Sequence, residues 1–183
     1  DERVRFIFKE NGGLSTVRQR ALDEASGDYI CFIDADDYLT PKYVEKMLVK
    51  ILADKSDICV CSTRFEDEKG SCISEWSKVF SCKDSKSPFI VTTEELSIID
   101  NPKIGELHIS DSWNKIYRTE FLINAKVKFC MPKGLNGSDL LFNKLLLVHK
   151  PKYSIIQDTC YVHVVYPKSA VHRKNKDLIH SFM

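Results

Sequence analysis

The chain alternates between short apolar runs and longer stretches in which apolar residues recur every three or four positions. Residues 4–8 (VRFIF) have the length and side-chain character of a strand. Asn11-Gly12-Gly13 is a turn sequence that accepts positive φ. After it, Leu14, Val17, Ala21, Leu22 and Ala25 recur with helical spacing, which predicts a helix with Ser15 as N-cap and Gly27 as its stop. Residues 29–33 (YICFI) are apolar without alternation, the pattern of a strand covered on both faces, as in a parallel sheet. Thr40-Pro41 supplies a cap and an N1 proline for a second helix, whose stripe is Val44, Met47, Leu48, Ile51 and Leu52. Residues 58–65 predict another strand. This strand–helix alternation is that of an α/β fold with right-handed crossovers.

The second half is less regular. Residues 66–70 form a charged turn and 71–90 an irregular excursion. Residues 93–100 predict a short helix ahead of Pro102, and 113–124 a strand or turn running into a helix. Residues 139–149 are apolar nearly all round and predict a deeply buried helix; 153–166 carry strand patterns. Arg173, Lys174 and Lys176 mark a basic end. The chain divides into residues 1–65, residues 66–170 of the same domain, and a C-terminal end of 171–183.

Composition narrows the possible functions. With 43% hydrophobic and 29% charged residues, the 183-residue chain is not a disordered one. Its 27 basic and 26 acidic side chains leave a charge of +1, which argues against a nucleic-acid partner. Charge-driven chemistry must therefore come from local clusters. No apolar run approaches the roughly 18 residues of a membrane-spanning helix. The seven cysteines include no CxxC pair, so zinc spacing is absent, and they read as reduced, mostly buried thiols of a cytosolic protein. Cys59 and Cys61 should share one face of a strand. The five histidines form no i, i+4 pair and read as structural or surface residues.

One cluster stands out. Asp34-Ala35-Asp36-Asp37 directly follows the apolar run at 29–33. Three carboxylates there repel one another and gain little from packing, while the carboxyl ends of strands are where open α/β sheets bind ligands. Mg²⁺ or Mn²⁺ typically sits on one or two carboxylates together with substrate phosphates. Asp37 is the one of the three best suited to capping the next turn. Arg18 suits a phosphate or a strand-end acid, and Trp113 and Tyr117 offer aromatic faces that suit a sugar.

The order NGGLSTVRQRAL, then ASGDYICFIDADDYL, then a helix after Pro41, then WNKIYRTEFL and GSDLLFNKLLL, resembles the inverting family 2 glycosyltransferases of the GT-A fold, from about Arg3 to about Ser169. The resemblance implies a Rossmann-like, mostly parallel sheet flanked by helices, with a smaller mixed region on the acceptor side. It implies that Asp34-Ala35-Asp36 is the DxD element, with Asp36 the main ligand of Mg²⁺ or Mn²⁺ and Asp34 on the nucleotide-sugar or supporting the metal. Asn11, Gly12, Gly13 and Arg18 match the donor-binding turn and arginine. Asp139 matches the catalytic base, and Ser138 and Trp113 fall on the acceptor side. Two positions depart from the family pattern. Gln19 stands where an asparagine usually follows the arginine, and Ser138 replaces the glutamate of a Glu-Asp pair. The match starts beyond the strand and loop that bind the nucleobase, so the chain is expected to lack them.

The implied activity is transfer of a sugar from a nucleotide-diphosphate donor, a UDP-sugar, to a hydroxyl of a glycan or lipid-linked acceptor in cell-surface polysaccharide synthesis. The expected location is cytoplasmic, with the basic end available to the inner membrane face. Two other readings compete: a non-catalytic glycosyltransferase-like binding module, and a phosphatase with Asp34 as nucleophile and Asp36 as acid/base.

Overall fold

The computed structural model describes residues 1–75, 88–90, 111–132 and 137–167. Its strands are β1 (Tyr29–Cys31), β2 (Tyr38–Leu39), β3 (Ile58–Asp67), β4 (Cys72–Glu75), β5 (Phe89–Ile90), β6 (Lys115–Arg118) and β7 (Lys152–Val165). Its helices are α1 (Leu14–Glu24), α2 (Tyr43–Asp54), α3 (Thr119–Ala125) and α4 (Ser138–Leu147). The strands form one sheet in the order β1-β6-β3-β7-β2, with β4 on β3 and β5 on β7.

The α/β expectation holds, but the sheet is mixed rather than mostly parallel, because antiparallel β6 is inserted between β1 and β3. Among the described strands only β3 and β7 pair in parallel; β6 runs antiparallel between β1 and β3, so β1, β3 and β7 share one direction within a mixed sheet. Strands from both halves of the sequence are therefore interleaved. β3 shows why the apolar runs lack alternation. Ile58 and Val60 enter a core with Ile30, Phe32, Tyr117, Phe142 and Leu146. Cys59 and Cys61 point the other way, into a core with Tyr43, Met47 and Ile51 of α2, Trp113 and Tyr161. Both faces are covered, as for β1, whose Ile30 faces one core and Tyr29 and Cys31 the other. The six described cysteines are free thiols; Cys59, Cys61 and Cys160 are buried, whereas Cys72 and Cys130 are exposed.

Several expectations need correction. Residues 4–8 form no strand, and Phe6 and Phe8 are 82% and 93% exposed. An apolar run does not hold itself extended; a strand needs a neighbour's hydrogen bonds, and no described strand pairs with it. The N-cap of α1 is Gly13, at φ 87°, rather than Ser15, whose hydroxyl donates instead to the Met131 carbonyl at 2.8 Å. Helix α1 buries Ser15 and Arg18, with Leu22 and the C-cap Ala25 partly buried against the core, leaving Leu14 and Val17 outside. The α2 helix begins after Thr40-Pro41, which form the preceding turn through Tyr43 N–H to the Thr40 carbonyl at 3.0 Å. Its buried positions are Tyr43, Met47 and Ile51, a stripe rotated away from Val44 and Leu52. Helix α4 is one-sided too: Phe142, Leu146 and Leu147 are buried, while Leu140 and Val148 are exposed. The expected helix at 93–100 and the basic end at 171–183 lie outside the described residues.

Candidate active site

Three elements converge on one polar cluster. β1 ends just before the acidic turn, α1 brings Arg18 on its second turn, and α4 opens with Ser138 and Asp139. Arg18 is 6% exposed and grips both acids: its Nη2 donates to Asp34 Oδ1 at 2.7 Å, and its Nη1 to Asp139 Oδ1. Residues 16 and 121 positions away from Arg18 thus meet on one guanidinium. Burial raises the Asp34 carboxyl above its ordinary value, and the Arg18 charge and hydrogen bond oppose that rise.

The three acids of the turn differ in fate. Asp34 is ion-paired. Asp36 is exposed, with no hydrogen bond or ion pair among the described residues. Asp37 is fully buried at its side chain and is held from β7: Val164 N–H donates to Oδ1 at 2.9 Å, Tyr161 OH to Oδ2 at 2.6 Å, and His163 Nδ1 lies 3.0 Å from Oδ2. It fastens the turn to β7 instead of capping α2. The Asp37 contact raises the His163 pKa above its usual value. The Tyr161 hydroxyl also lies 3.4 Å from the Asp34 amide, which donates to it.

Asp139 is equally well defined. Its Oδ1 accepts from Arg18 and from the Ser138 hydroxyl at 3.1 Å, and its Oδ2 from the Ser112 amide at 3.2 Å. A carboxylate offers about four lone-pair sites. Among the described residues three are used, and the remaining one is on Oδ2. Behind it, Asn143 donates to the Asp139 carbonyl at 2.9 Å and to Ser112 Oγ at 3.1 Å, while its Oδ1 accepts from Tyr117 OH at 2.8 Å.

Asn11, Gly12 and Gly13 form the turn that starts α1. Asn11 Oδ1 accepts from the Gly13 amide at 3.2 Å, and a Cβ on Gly12 would lie 2.7 Å from Thr16 Oγ1. Trp113 is only 7% exposed. It stacks on His163 at 5.5 Å and lies 4.7 Å from the Tyr161 ring, which makes it the floor of the acidic turn, not an open platform. Tyr117 is fully buried. Sequence reasoning missed Ser112, Asn143, Tyr161 and His163. Two signals were present: Asn143 is a polar residue one helical turn after Asp139 in an apolar helix, and Tyr161 and His163 lie two apart on a strand.

No group of three or more His, Cys, Asp or Glu side chains among the described residues forms a cage for a metal ion. Mg²⁺ and Mn²⁺ do not need one, since one or two carboxylates, water and substrate phosphates suffice. Asp36, exposed and uncommitted, fits that role. Asp34 fits it less well while Arg18 holds it. Two clefts of about 400 and 450 Å³ lie elsewhere, sharing Ala25, Thr119 and Ile123, and none of these acids lines them. No described helix is long and apolar enough to cross a membrane.

The model of the family described as glycosyl transferase family 2 matches residues 1–121. The chain is 28% identical over 184 residues to the putative glycosyltransferase EpsH of Bacillus subtilis, covering 99% of this chain and 50% of that protein. It is 25% identical over 160 residues to the poly(ribitol-phosphate) beta-N-acetylglucosaminyltransferase TarS of Staphylococcus aureus, covering 87% and 25%. The crystal structure of S. aureus TarS 1–349 in complex with UDP-GlcNAc superposes with a TM-score of 0.61 at 20% identity, over 86% of this chain and 40% of that one. The chain spans about half or less of the length of the curated relatives it matches. The fold is of the GT-A type, and the chain belongs to glycosyl transferase family 2.

Proposed function

We propose that this chain carries the phosphate-side and base-bearing part of an inverting glycosyltransferase, which moves a sugar from a UDP-sugar to a hydroxyl of a glycan or lipid-linked acceptor in cell-surface polysaccharide synthesis. The observation that carries the reading is the Arg18 bridge, which draws Asp34 and Asp139 into one site. UDP-GlcNAc is the ligand of the similar TarS structure, which supports a nucleotide-sugar donor here.

Asp139 takes the proton of the acceptor hydroxyl on the free lone pair of Oδ2. As that proton leaves, the hydroxyl oxygen forms its bond to the anomeric carbon and the bond to the diphosphate breaks. One base opposite the leaving group gives inversion. General-base assistance contributes about 10²–10⁴-fold, and holding the reactants in line about 7–11 kcal/mol. Arg18 keeps the base oriented and offers positive charge beside the phosphate path. Asp36 would hold a Mg²⁺ or Mn²⁺ ion, which supplies charge neutralisation on the departing diphosphate. The setting is the cytoplasmic side, with contact to the inner membrane face through the basic C-terminal end.

The test is a calorimetric titration of the full-length protein with UDP, with and without Mn²⁺, followed by UDP release from UDP-sugars. Heat that depends on Mn²⁺ and on Asp36 supports the reading. Absence of heat from UDP with Mn²⁺ overturns it in favour of a non-catalytic module. A phosphatase role fits less well, because the Asp34 carboxylate that would attack phosphorus is committed to Arg18. Release of phosphate from simple phosphomonoesters would favour it.

A further inference from the structure

Outside the Arg18 cluster, Lys115 is a fully buried cation. It is 0% exposed and is the first residue of β6. Its ammonium donates to the Asp111 carbonyl and, at 2.8 Å, to Asn114 Oδ1. These two acceptors are the start and the end of the turn that leads into β6. Tyr43 OH fixes the Lys115 carbonyl at 3.0 Å, and Asn114 Nδ2 reaches the Cys61 carbonyl at 3.4 Å, so the turn is also fastened to α2 and β3. Ser112 lies inside this turn, and its amide donates to Asp139 Oδ2. A buried cation costs several kcal/mol in solvation, and aliphatic residues of similar volume would fill the space at lower cost. Its place here is explained if the turn needs a cation to hold its shape.

We propose that Lys115 is a positioning residue: its ammonium closes the 111–114 turn and so aims the Ser112 amide at Asp139, which leaves one lone pair of Oδ2 for the acceptor proton. The inference rests on the reading of Asp139 as the base. Among the described residues, the charged and titratable groups that face Lys115 include Asp111, Cys61 of β3 and Asp139 of α4, with Tyr43 of α2 on its carbonyl. Burial lowers its amine to about 8. The ammonium is therefore present below that pH and lost above it, and the turn should loosen in the same range. The effect on stability has the opposite sign. Between about 8 and the ordinary 10.5, the unfolded chain holds the proton and the folded one does not, so this group alone makes folding more favourable as pH rises.

The test is amide NMR of the wild-type protein, which needs no substrate. The Ser112 amide resonance should titrate with a midpoint near 8, as the amine does. In Lys115→Met that titration should vanish and Ser112 should exchange its amide proton at least about tenfold faster. Amides of Ile116 and Tyr117, which lie in the β6 ladder, should keep their protection. A second arm measures UDP release from UDP-GlcNAc: kcat should fall by about tenfold or more and KM by less than about twofold. The alkaline fall expected in the kcat–pH profile as the Lys115 amine loses its proton should disappear in Lys115→Met and persist in Cys160→Ser, Cys160 being a thiol whose pKa its Cys61 neighbour lowers. A Ser112 resonance that does not titrate in the wild type overturns the inference, even if the variant fails to fold. So does a Ser112 amide that keeps its protection in Lys115→Met. If Asp139→Asn retains full activity, the base reading itself fails. If Asp139→Asn is inactive while Lys115→Met keeps its kcat, only the Lys115 inference fails.

Discussion

The two acidic sides of the site are built differently. On the α4 side, Asp139 is met by a guanidinium, a hydroxyl and a backbone amide, and a buried network through Asn143 and Tyr117 stands behind it. On the β1 side, the turn gives three adjacent carboxylates three separate environments: one paired, one in solvent, one buried against β7. The first side is finished before any ligand arrives. The second keeps one acid in reserve and spends the other two on fixing where that acid stands. A group that must accept one proton at a set angle benefits from a rigid frame. A group that must join phosphates and water around an ion benefits from remaining uncommitted.

The sharpest break in this comparison is Asp36→Ala. It should abolish Mn²⁺-dependent binding of UDP while leaving the thermal melt unchanged, because the side chain touches nothing described; calorimetry and a melt together check this. Next comes Asp139→Asn, which should lower transfer by at least about a hundredfold and keep UDP binding. Wild-type turnover in that variant would place the base elsewhere. Asp37→Ala should act on the fold and not directly on chemistry. It strands the Tyr161 hydroxyl, the Val164 amide and His163, at a cost of about 1–3 kcal/mol for each donor left unsatisfied, read as a drop in the urea midpoint. The smallest effect belongs to His163→Gln. The Asp37 contact raises the folded pKa of His163, so its contribution is complete below the ordinary 6.5 and lost as pH climbs through the folded value. For a side chain 31% exposed this is under about 1 kcal/mol. Wild-type stability measured at about pH 5.5 and 8.5 should show that loss, and the variant should not.

Much of the frame could be read from the chain itself. The apolar runs at 29–31 and 58–61 do become two-sided strands, because each alternate side chain finds a core on its own face. The resemblance assigned the acidic turn and Arg18 to the donor and Asp139 to the base, but the meeting of Asp34 and Asp139 on one guanidinium is visible only in the fold. What sequence could not supply was rotation and partnership. The exposed faces of α1 and α2 were misjudged because Ser15 and Arg18 are polar yet face inward, and because Tyr43 outranks Val44 as a core residue. The failure of 4–8 to join the sheet has the same origin: side-chain pattern says what can be a strand, while pairing decides whether it is one. The partners of Asp37 lie 124 to 127 positions away, beyond any local signal.

The pinning of Asp37 has a consequence for how mutations in β7 should be tolerated. Tyr161 and His163 occupy alternate positions, and between and beyond them stand Val162 and Val164. Were the strand to slide by a single residue, aliphatic side chains would replace a phenol and an imidazole around a carboxylate that has no water to turn to. Insertions or deletions between Lys152 and Val165 should therefore disable the protein from a distance, through an acid that lies buried against this strand.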